Sequence, residues 1–377
     1  MKCSFVVVVG QVANLQRVVN PLRRLETIRP APVNNRRAGY HPAPHRTLMK
    51  AAVSILFIAT AWAQEYQPER QVTGVIRTLG NYHMETVLKL WEDGFRRQHP
   101  AVRFEDKLLG TANAIAGLYL ETADIALMGR EIIPMESIAF RRAFRYDATE
   151  IAVATASFNV PLETFAFAIF VHKDNPISRL TVPQVARLFG CASPDAGCVA
   201  HTWADAGLTG EWTQRPVHLY GYETNTGLGH FFEQRVLGGK HAWNCGLHEY
   251  ANINTPDGKV SANAGDLMMR DLARDPGGIA FCGFGHKTPQ VKAVALAADE
   301  RGPYIELTKA NVANRTYPLT RTVYFYINRV PGKPLSPVVK EFLLYILSRE
   351  GQAEVAKQDI YLPLTSAMVA KERVKLD

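Results

Sequence analysis

The 377-residue chain lacks most of the features that assign a chemistry at once. It has no G-x-S-x-G elbow, no H-E-x-x-H pair, no paired-cysteine zinc spacing and no Walker loop, so nothing in it suggests a hydrolase, a zinc enzyme or a nucleotide site, and no cofactor is expected. After residue 64 there is no internal repeat, heptad seam or low-complexity tract, and no later apolar run reaches the roughly 18 residues that a membrane span requires. Cysteine is scarce, with five in the whole chain. An excess of positive charge is missing too, once its placement is considered. The formal net charge is +8, but residues 1–63 carry nine Lys and Arg against Glu26 alone, which leaves 34 basic and 34 acidic residues in the remainder. That balance removes the argument for nucleic acid or anionic lipid as a partner.

What is present begins with Met49–Ala63, MKAAVSILFIATAWA, which has a lysine, an apolar stretch from Ala51 to Ala59 and the small-x-small ending Ala61-Trp62-Ala63. This is the layout of a secretory signal peptide, residues 49–63, with cleavage expected before Gln64. Residues 1–48, rich in Arg and Pro and without period, read as an upstream extension or a disordered basic arm. The first residue after the expected cleavage is not cysteine, so a lipid anchor is not expected, and a periplasmic location fits best. About 314 residues then remain, enough for two domains of ordinary size. Four cysteines follow the leader, Cys191, Cys198, Cys245 and Cys282. An even number in an oxidising compartment suggests disulfides, with three possible connectivities. The Pro- and Gly-containing loop between Cys191 and Cys198 favours Cys191–Cys198 with Cys245–Cys282, four buried thiols being the alternative. His241, Cys245 and His248 have helical spacing, but no fourth metal ligand is evident.

Strand and helix periodicities alternate from the start of the expected mature chain. Val72–Leu79 reads as a strand, and Met84–Gln98 as a helix with Met84, Val87, Leu88, Trp91 and Phe95 on one face. Strands at Val102–Asp106 and Asp124–Met128 flank a short helix at Ala114–Glu121, a β-α-β-α-β order that implies an α/β domain with a largely parallel sheet. Thr181-Val-Pro-Gln184 reads as a capping box. Pro216–Tyr220 reads as a strand and Gly227–Leu237 as a helix. Ile279–Phe281, Val291–Leu296 and Thr320–Ile327 read as strands, with helices from Ser336-Pro337 and over Gly351–Lys357. Three small-polar turns lie between a strand and a helix: Gly80-Asn81-Tyr82-His83, Gly110-Thr111-Ala112-Asn113 and Thr224-Asn225-Thr226-Gly227. Each alone is an ordinary helix cap, but three that converge would aim backbone N–H groups and helix dipoles at an anion.

The order of these segments resembles the phosphate-binding proteins of phosphate ABC transporters. The likeness runs through Gly110-Thr-Ala-Asn-Ala, Ala123-Asp-Ile-Ala-Leu-Met-Gly-Arg130, Leu180-Thr-Val-Pro-Gln, Leu188-Phe-Gly, Trp203-Ala-Asp-Ala-Gly207 and Thr226-Gly-Leu. It continues into Gly278-Ile-Ala-Phe281, Tyr317-Pro-Leu-Thr-Arg321, Ser348-Arg-Glu-Gly-Gln352 and Leu362-Pro-Leu364. It implies an α/β, two-domain, type II periplasmic-binding-protein-like fold with two hinge crossovers. Residues 64–165 and 288–377 would form domain 1 and residues 166–287 domain 2, with hinges near Leu162–Phe167 and between Phe284 and Val291. It further implies a monomeric, non-enzymatic carrier of a small anion or related polar solute, delivered to an inner-membrane ABC permease. The alternative is a scaffold of the same fold that senses a solute or docks a protein.

For the ligand, the resemblance implies Asn81, Tyr82, Thr111, Asp124, Tyr222, Thr226 and Gly227. Asp124 corresponds to the carboxylate that accepts the proton of monohydrogen phosphate, and Thr111 to a serine. Tyr222 stands where the family has an arginine. His83 and His230 flank the turns and, if protonated, could replace the lost cation, hydrogen-bonded rim residues being the alternative; Arg130 could be recruited to the ligand, although its place in the resemblance favours a structural ion pair.

Overall fold

A computed structural model describes residues 64–158, 160, 166–191, 200–239, 242–256, 260–358 and 360–377. The expected leader 49–63, residues 1–48, Cys198 and His241 lie outside them. In the first half, β1 (Gly74–Gly80), α1 (Glu85–Arg96), β2 (Val102–Lys107), α2 (Ala114–Tyr119), β3 (Ile125–Leu127), α3 (Pro134–Phe144) and β4 (Thr149–Thr155) follow in order. Amphipathic α1 buries Val87, Leu88, Trp91 and Phe95 against one face of the sheet, as its periodicity predicts. Ile115, Leu118 and Phe140 cover the other face through α2 and α3.

The second half holds β5 (Phe167–His172), β6 (Arg179–Thr181), α4 (Val182–Phe189), β7 (Gly190–Cys191), β8 (His218–Tyr222), α5 (Gly227–Phe232), β9 (Ala242–Trp243), β10 (Leu247–Tyr250), β11 (Ile253–Asn254), β12 (Val260–Ala262), α6 (Ala264–Leu272), β13 (Gly278–Gly283), β14 (Val291–Ala293) and β15 (Ala295–Ala297). The capping box forms as read: Gln184 N donates to Thr181 Oγ1 at 3.2 Å and Thr181 N to Gln184 Oε1 at 2.8 Å. After α7 (Lys309–Ala313) the chain returns to the first lobe as β16 (Thr322–Ile327), followed by α8 (Pro337–Ile346), α9 (Arg349–Ala356) and α10 (Ser366–Arg373). Gln352 fastens this tail: its Nε2 donates to Val153 O and Ile346 O, and its Oε1 accepts from Leu364 N.

The two five-stranded sheets are ordered β2-β1-β3-β16-β4 and β10-β8-β13-β5-β14. In each, a central strand has parallel neighbours on both sides, β1 between β2 and β3, and β8 between β10 and β13. That is a topological switch point, and ligands of open α/β sheets bind beyond the carboxyl ends of the strands there.

Three expectations are corrected by this arrangement. The domain boundary does not fall at 287/288: β14 pairs with β5 and β15 with β6. Val291, Leu296, Leu307, Val312, Tyr317 and Leu319 all bury in the second lobe's core, so apolar burial holds the chain there for some thirty residues more. The second crossover is therefore near Leu319–Arg321 rather than between Phe284 and Val291. It runs beside the first, since Ala166 bridges Thr320; most of the expected hinge at Leu162–Phe167 lies outside the described residues. Thirdly, the pairing Cys191–Cys198 with Cys245–Cys282 does not hold. Cys191 and Cys282 are buried thiols, Cys191 donating to Trp243 O at 3.4 Å. Cys282 lies 3.2 Å from Tyr222 Oη, and burial pushes its pKa up to about 12. Cys245 is disulfide-bonded.

Candidate functional site

The strand ends of the two switch points face one another across a cavity of about 490 Å3. From the first lobe, Asn81 follows β1, Thr111 follows β2, and Met128, Gly129 and Arg130 follow β3; from the second, Tyr222 ends β8 and Glu223, Thr226, Gly227 and Leu228 follow it. The three small-polar turns thus do converge. Gly80 makes their approach possible: its φ is +151°, and a Cβ there would lie 2.2 Å from Leu127 O. The same junction is tied by Asn81 N donating to Leu127 O and Gly110 N to Gly80 O, both at 2.8 Å. Asn81 Oδ1 accepts from His83 N at 2.9 Å, which starts the turn that leads into α1. Thr111 Oγ1 donates to Met128 O at 3.3 Å. Thr226 Oγ1 donates to Glu223 O at 2.7 Å and accepts from Gly229 N at 3.2 Å, capping α5.

Of the seven ligand residues that the resemblance implies, Asn81, Thr111, Tyr222, Thr226 and Gly227 line this cavity, whereas Tyr82 and Asp124 do not. Tyr82 is 56% exposed and its ring lies tilted against His83, centroids 4.1 Å apart. Asp124 sits at the amino end of β3, roughly six residues and 20 Å of extended chain from Arg130 at the other end. There its carboxylate accepts from Arg77 N at 2.9 Å, Nε at 3.1 Å and Nη2 at 2.8 Å. A residue that starts a strand cannot reach the pocket beyond its end, so Asp124 is not the carboxylate of this cleft. Tyr222 lines the wall but is almost fully buried, and its hydroxyl is turned toward Cys282 and Gly283 N.

Positive charge in the wall comes from two arginines, Arg130, for which the resemblance favours an ion pair over a ligand role, and Arg321, for which the sequence suggests none. Arg130 donates to Glu136 through Nη1 at 2.9 Å and Nη2 at 2.6 Å, and to Glu131 O at 2.7 Å. The expected ion pair is present, yet the same side chain also lines the cavity. It touches the opposite lobe, since a Cβ on Gly227 would lie 2.6 Å from Arg130 Cδ and 2.9 Å from its Nε. Arg321, at the second crossover, is buried, and its guanidinium lies over Phe231 at 5.2 Å and Phe167 at 5.8 Å. Burial pulls its pKa below the usual guanidinium value, Glu131 opposes the fall and Arg130 adds to it; an arginine remains charged even so. Glu223 is the carboxylate in the wall, and Asn252, Asn254 and Asn263 complete it. Two of these amides are oriented by caps, Asn252 Oδ1 accepting from Ala264 N and Asn263 Oδ1 from Gly265 N, both at 2.9 Å. His230 pairs with Glu233 at 3.2 Å beside a neighbouring cavity rather than in this one.

A cleft walled by two guanidiniums and several amides between paired α/β lobes is suited to holding an oxyanion. Residues 64–350 match the family described as PBP superfamily domain. Over 315 residues the chain is 34% identical to the phosphate-binding protein PstS of Pseudomonas aeruginosa, covering 82% of this chain and 89% of that one. The chain belongs to the PstS family of the PBP superfamily. Its fold is accordingly the two-lobed α/β fold of type II periplasmic binding proteins. Protein SphX of Synechococcus elongatus is 24% identical over 221 residues, 57% of this chain and 59% of that one. An ABC-type phosphate transport receptor from Vibrio cholerae is 17% identical with a TM-score of 0.49, covering 76% and 99% of the two chains.

The cavity-lining residue that spacing gave no role is Arg321. Its signal was a lone arginine directly ahead of the buried strand Thr322–Ile327. A charge at the head of an apolar strand has either a partner or a ligand.

Proposed function

We propose that this PstS-family chain is an exported solute-binding protein of an ABC transporter. It takes phosphate or a related small oxyanion into the cleft between its lobes and presents it to an inner-membrane permease. The observation that carries this reading is Arg321, a buried guanidinium in the cleft wall together with Arg130. The 34% identity to a protein named for phosphate binding supports it. The side-chain amides of Asn81, Asn252 and Asn263 and the backbone N–H of Gly227 supply further donors, while Thr111 and Thr226 shape the turns that carry them. Tyr222 acts as wall rather than hydrogen-bond partner. The lobes, 64–158 with 322–377 and 166–319, close about the two adjacent crossovers, so ligand shifts the open-to-closed population. The protein is a monomeric receptor and not an enzyme, and it is secreted through the peptide 49–63 into the periplasm.

A thermal-shift series with phosphate, sulfate and other oxyanions tests the function. At a hundred times its dissociation constant a specific ligand adds about 2.7 kcal/mol of stability. A clear rise with phosphate is expected. No rise with any oxyanion removes the carrier reading and leaves a scaffold that docks a partner.

A further inference from the structure

The expected mature chain is tied down from its first residue. Gln64 O accepts from Arg349 N, the first backbone N–H of α9, at 2.8 Å. Glu65 pairs with the Arg349 guanidinium at 3.4 Å, and Tyr66 N donates to Glu350 Oε2 at 2.6 Å. Tyr66 then lays its ring against Phe95, His99 and Tyr345, and its hydroxyl lies 2.7 Å from His99 Nε2 and donates to Glu341 Oε2 at 3.0 Å. This strap links α1, α8 and α9 at one end of the first lobe's core. Gln64 itself is held by its carbonyl alone. Its side chain is exposed, and among the described residues neither its backbone N–H nor its carboxamide makes a hydrogen bond. The two groups that the fold leaves unused are the two that can react with one another in an N-terminal glutamine.

We propose that Gln64, once the leader is removed, is a modification site: its α-amine closes onto its own γ-carboxamide to give an N-terminal pyroglutamyl residue. The neutral amine attacks Cδ, the N–Cδ bond forms and the Cδ–Nε2 bond breaks. Nε2 departs as ammonia, carrying the proton that the amine sheds. No oxidant, cofactor or second substrate is consumed, and the reacting groups belong to one residue, so the step is intramolecular. The proposal rests on export through the peptide 49–63 with cleavage before Gln64. The anchoring carbonyl takes no part in the reaction, so the contacts of the strap survive it. Cyclisation removes the terminal charge, as acetylation does, and with it the free amine that an aminopeptidase requires. Trimming through Tyr66 would withdraw the strap from the core, and the lactam blocks its first step.

Mass spectrometry of the N-terminal peptide, from protein purified from the periplasm and held at neutral pH until its mass is constant, tests the proposal. The peptide is expected to begin at Gln64, to be lighter than its sequence by one molecule of ammonia, and to leave its terminus untouched by an amine-reactive label. Gln64→Ala removes only an exposed carboxamide, so it is expected to fold, to keep its full mass and to take the label at its terminus. A wild-type chain that begins at Gln64 with full mass and a reactive amine overturns the proposal and leaves export intact. Loss of ammonia that persists in Gln64→Ala also overturns it, because the ring then lies at another residue. A chain that begins elsewhere overturns it together with the reading of the leader.

Discussion

Gly227 has no room for a side chain, because a Cβ would meet Arg130 at 2.6 Å and Arg130 is tied back to Glu136. Gly227→Ala is therefore expected to dislodge the guanidinium and weaken oxyanion binding by about tenfold, the loss of one charge-assisted contact. Titration of the variant checks it, and unchanged affinity removes Arg130 from the site. Asp124→Asn is expected to leave affinity and selectivity between phosphate and sulfate untouched. Its carboxylate pairs with an Arg77 side chain that is 40% exposed, so solvent screening keeps the stability cost to under about 1 kcal/mol. Altered selectivity in that variant contradicts the placement of Asp124 outside the cleft. At this scale the sequence was half legible. Asn81, Thr111 and Thr226 follow from cap chemistry at strand-to-helix turns, which is local. Arg130 and Arg321 reach the cleft only through tertiary placement, one by crossing to the opposite lobe and one by lying at the crossover.

Helix α1 carries a second titratable feature, at Glu92. Its side chain is fully buried, Lys89 Nζ lies 2.9 Å away and Arg96 Nη2 3.9 Å, and Oε1 is buried without a hydrogen bond. Burial pushes its pKa up to about 7, Lys89 opposes the rise and Asp106 of β2 adds to it. A folded value above the unfolded one means that the contribution is full below about pH 4.5 and is lost as pH climbs through about 7. Thermal stability is expected to decline across that window, by no more than about 3 kcal/mol. Glu92→Gln should flatten this decline, and an identical pH profile in the variant contradicts the assignment. Elements with strong local signals were readable: the Trp91 face of α1, the Thr181–Gln184 box and the apolar run of β16. Helices α3 and α6 were not recognised, and neither was β4, whose Ile151–Thr155 is buried throughout with no alternation to mark it.

For the whole molecule, the order of motifs predicts two lobes and two crossovers. The position of the second crossover depends on which core buries Val291 to Leu319, a competition between lobes that no local pattern records. The shared architecture matters because it places the carboxyl ends of two switch points, contributed by segments more than a hundred residues apart, around one cavity. Charge is then concentrated where the lobes meet, in Arg321 at the crossover and Arg130 on the first lobe. The central claim is that Arg321 holds the oxyanion, and calorimetric titration of phosphate into wild type and Arg321→Met tests it most directly. Removing a charged hydrogen-bond donor is worth about 1.5–3 kcal/mol, so phosphate should bind the variant roughly ten- to a hundredfold more weakly. Folding should be retained, since methionine fills a buried arginine's place without a charge to desolvate. A folded Arg321→Met protein that binds phosphate as tightly as wild type would contradict the account.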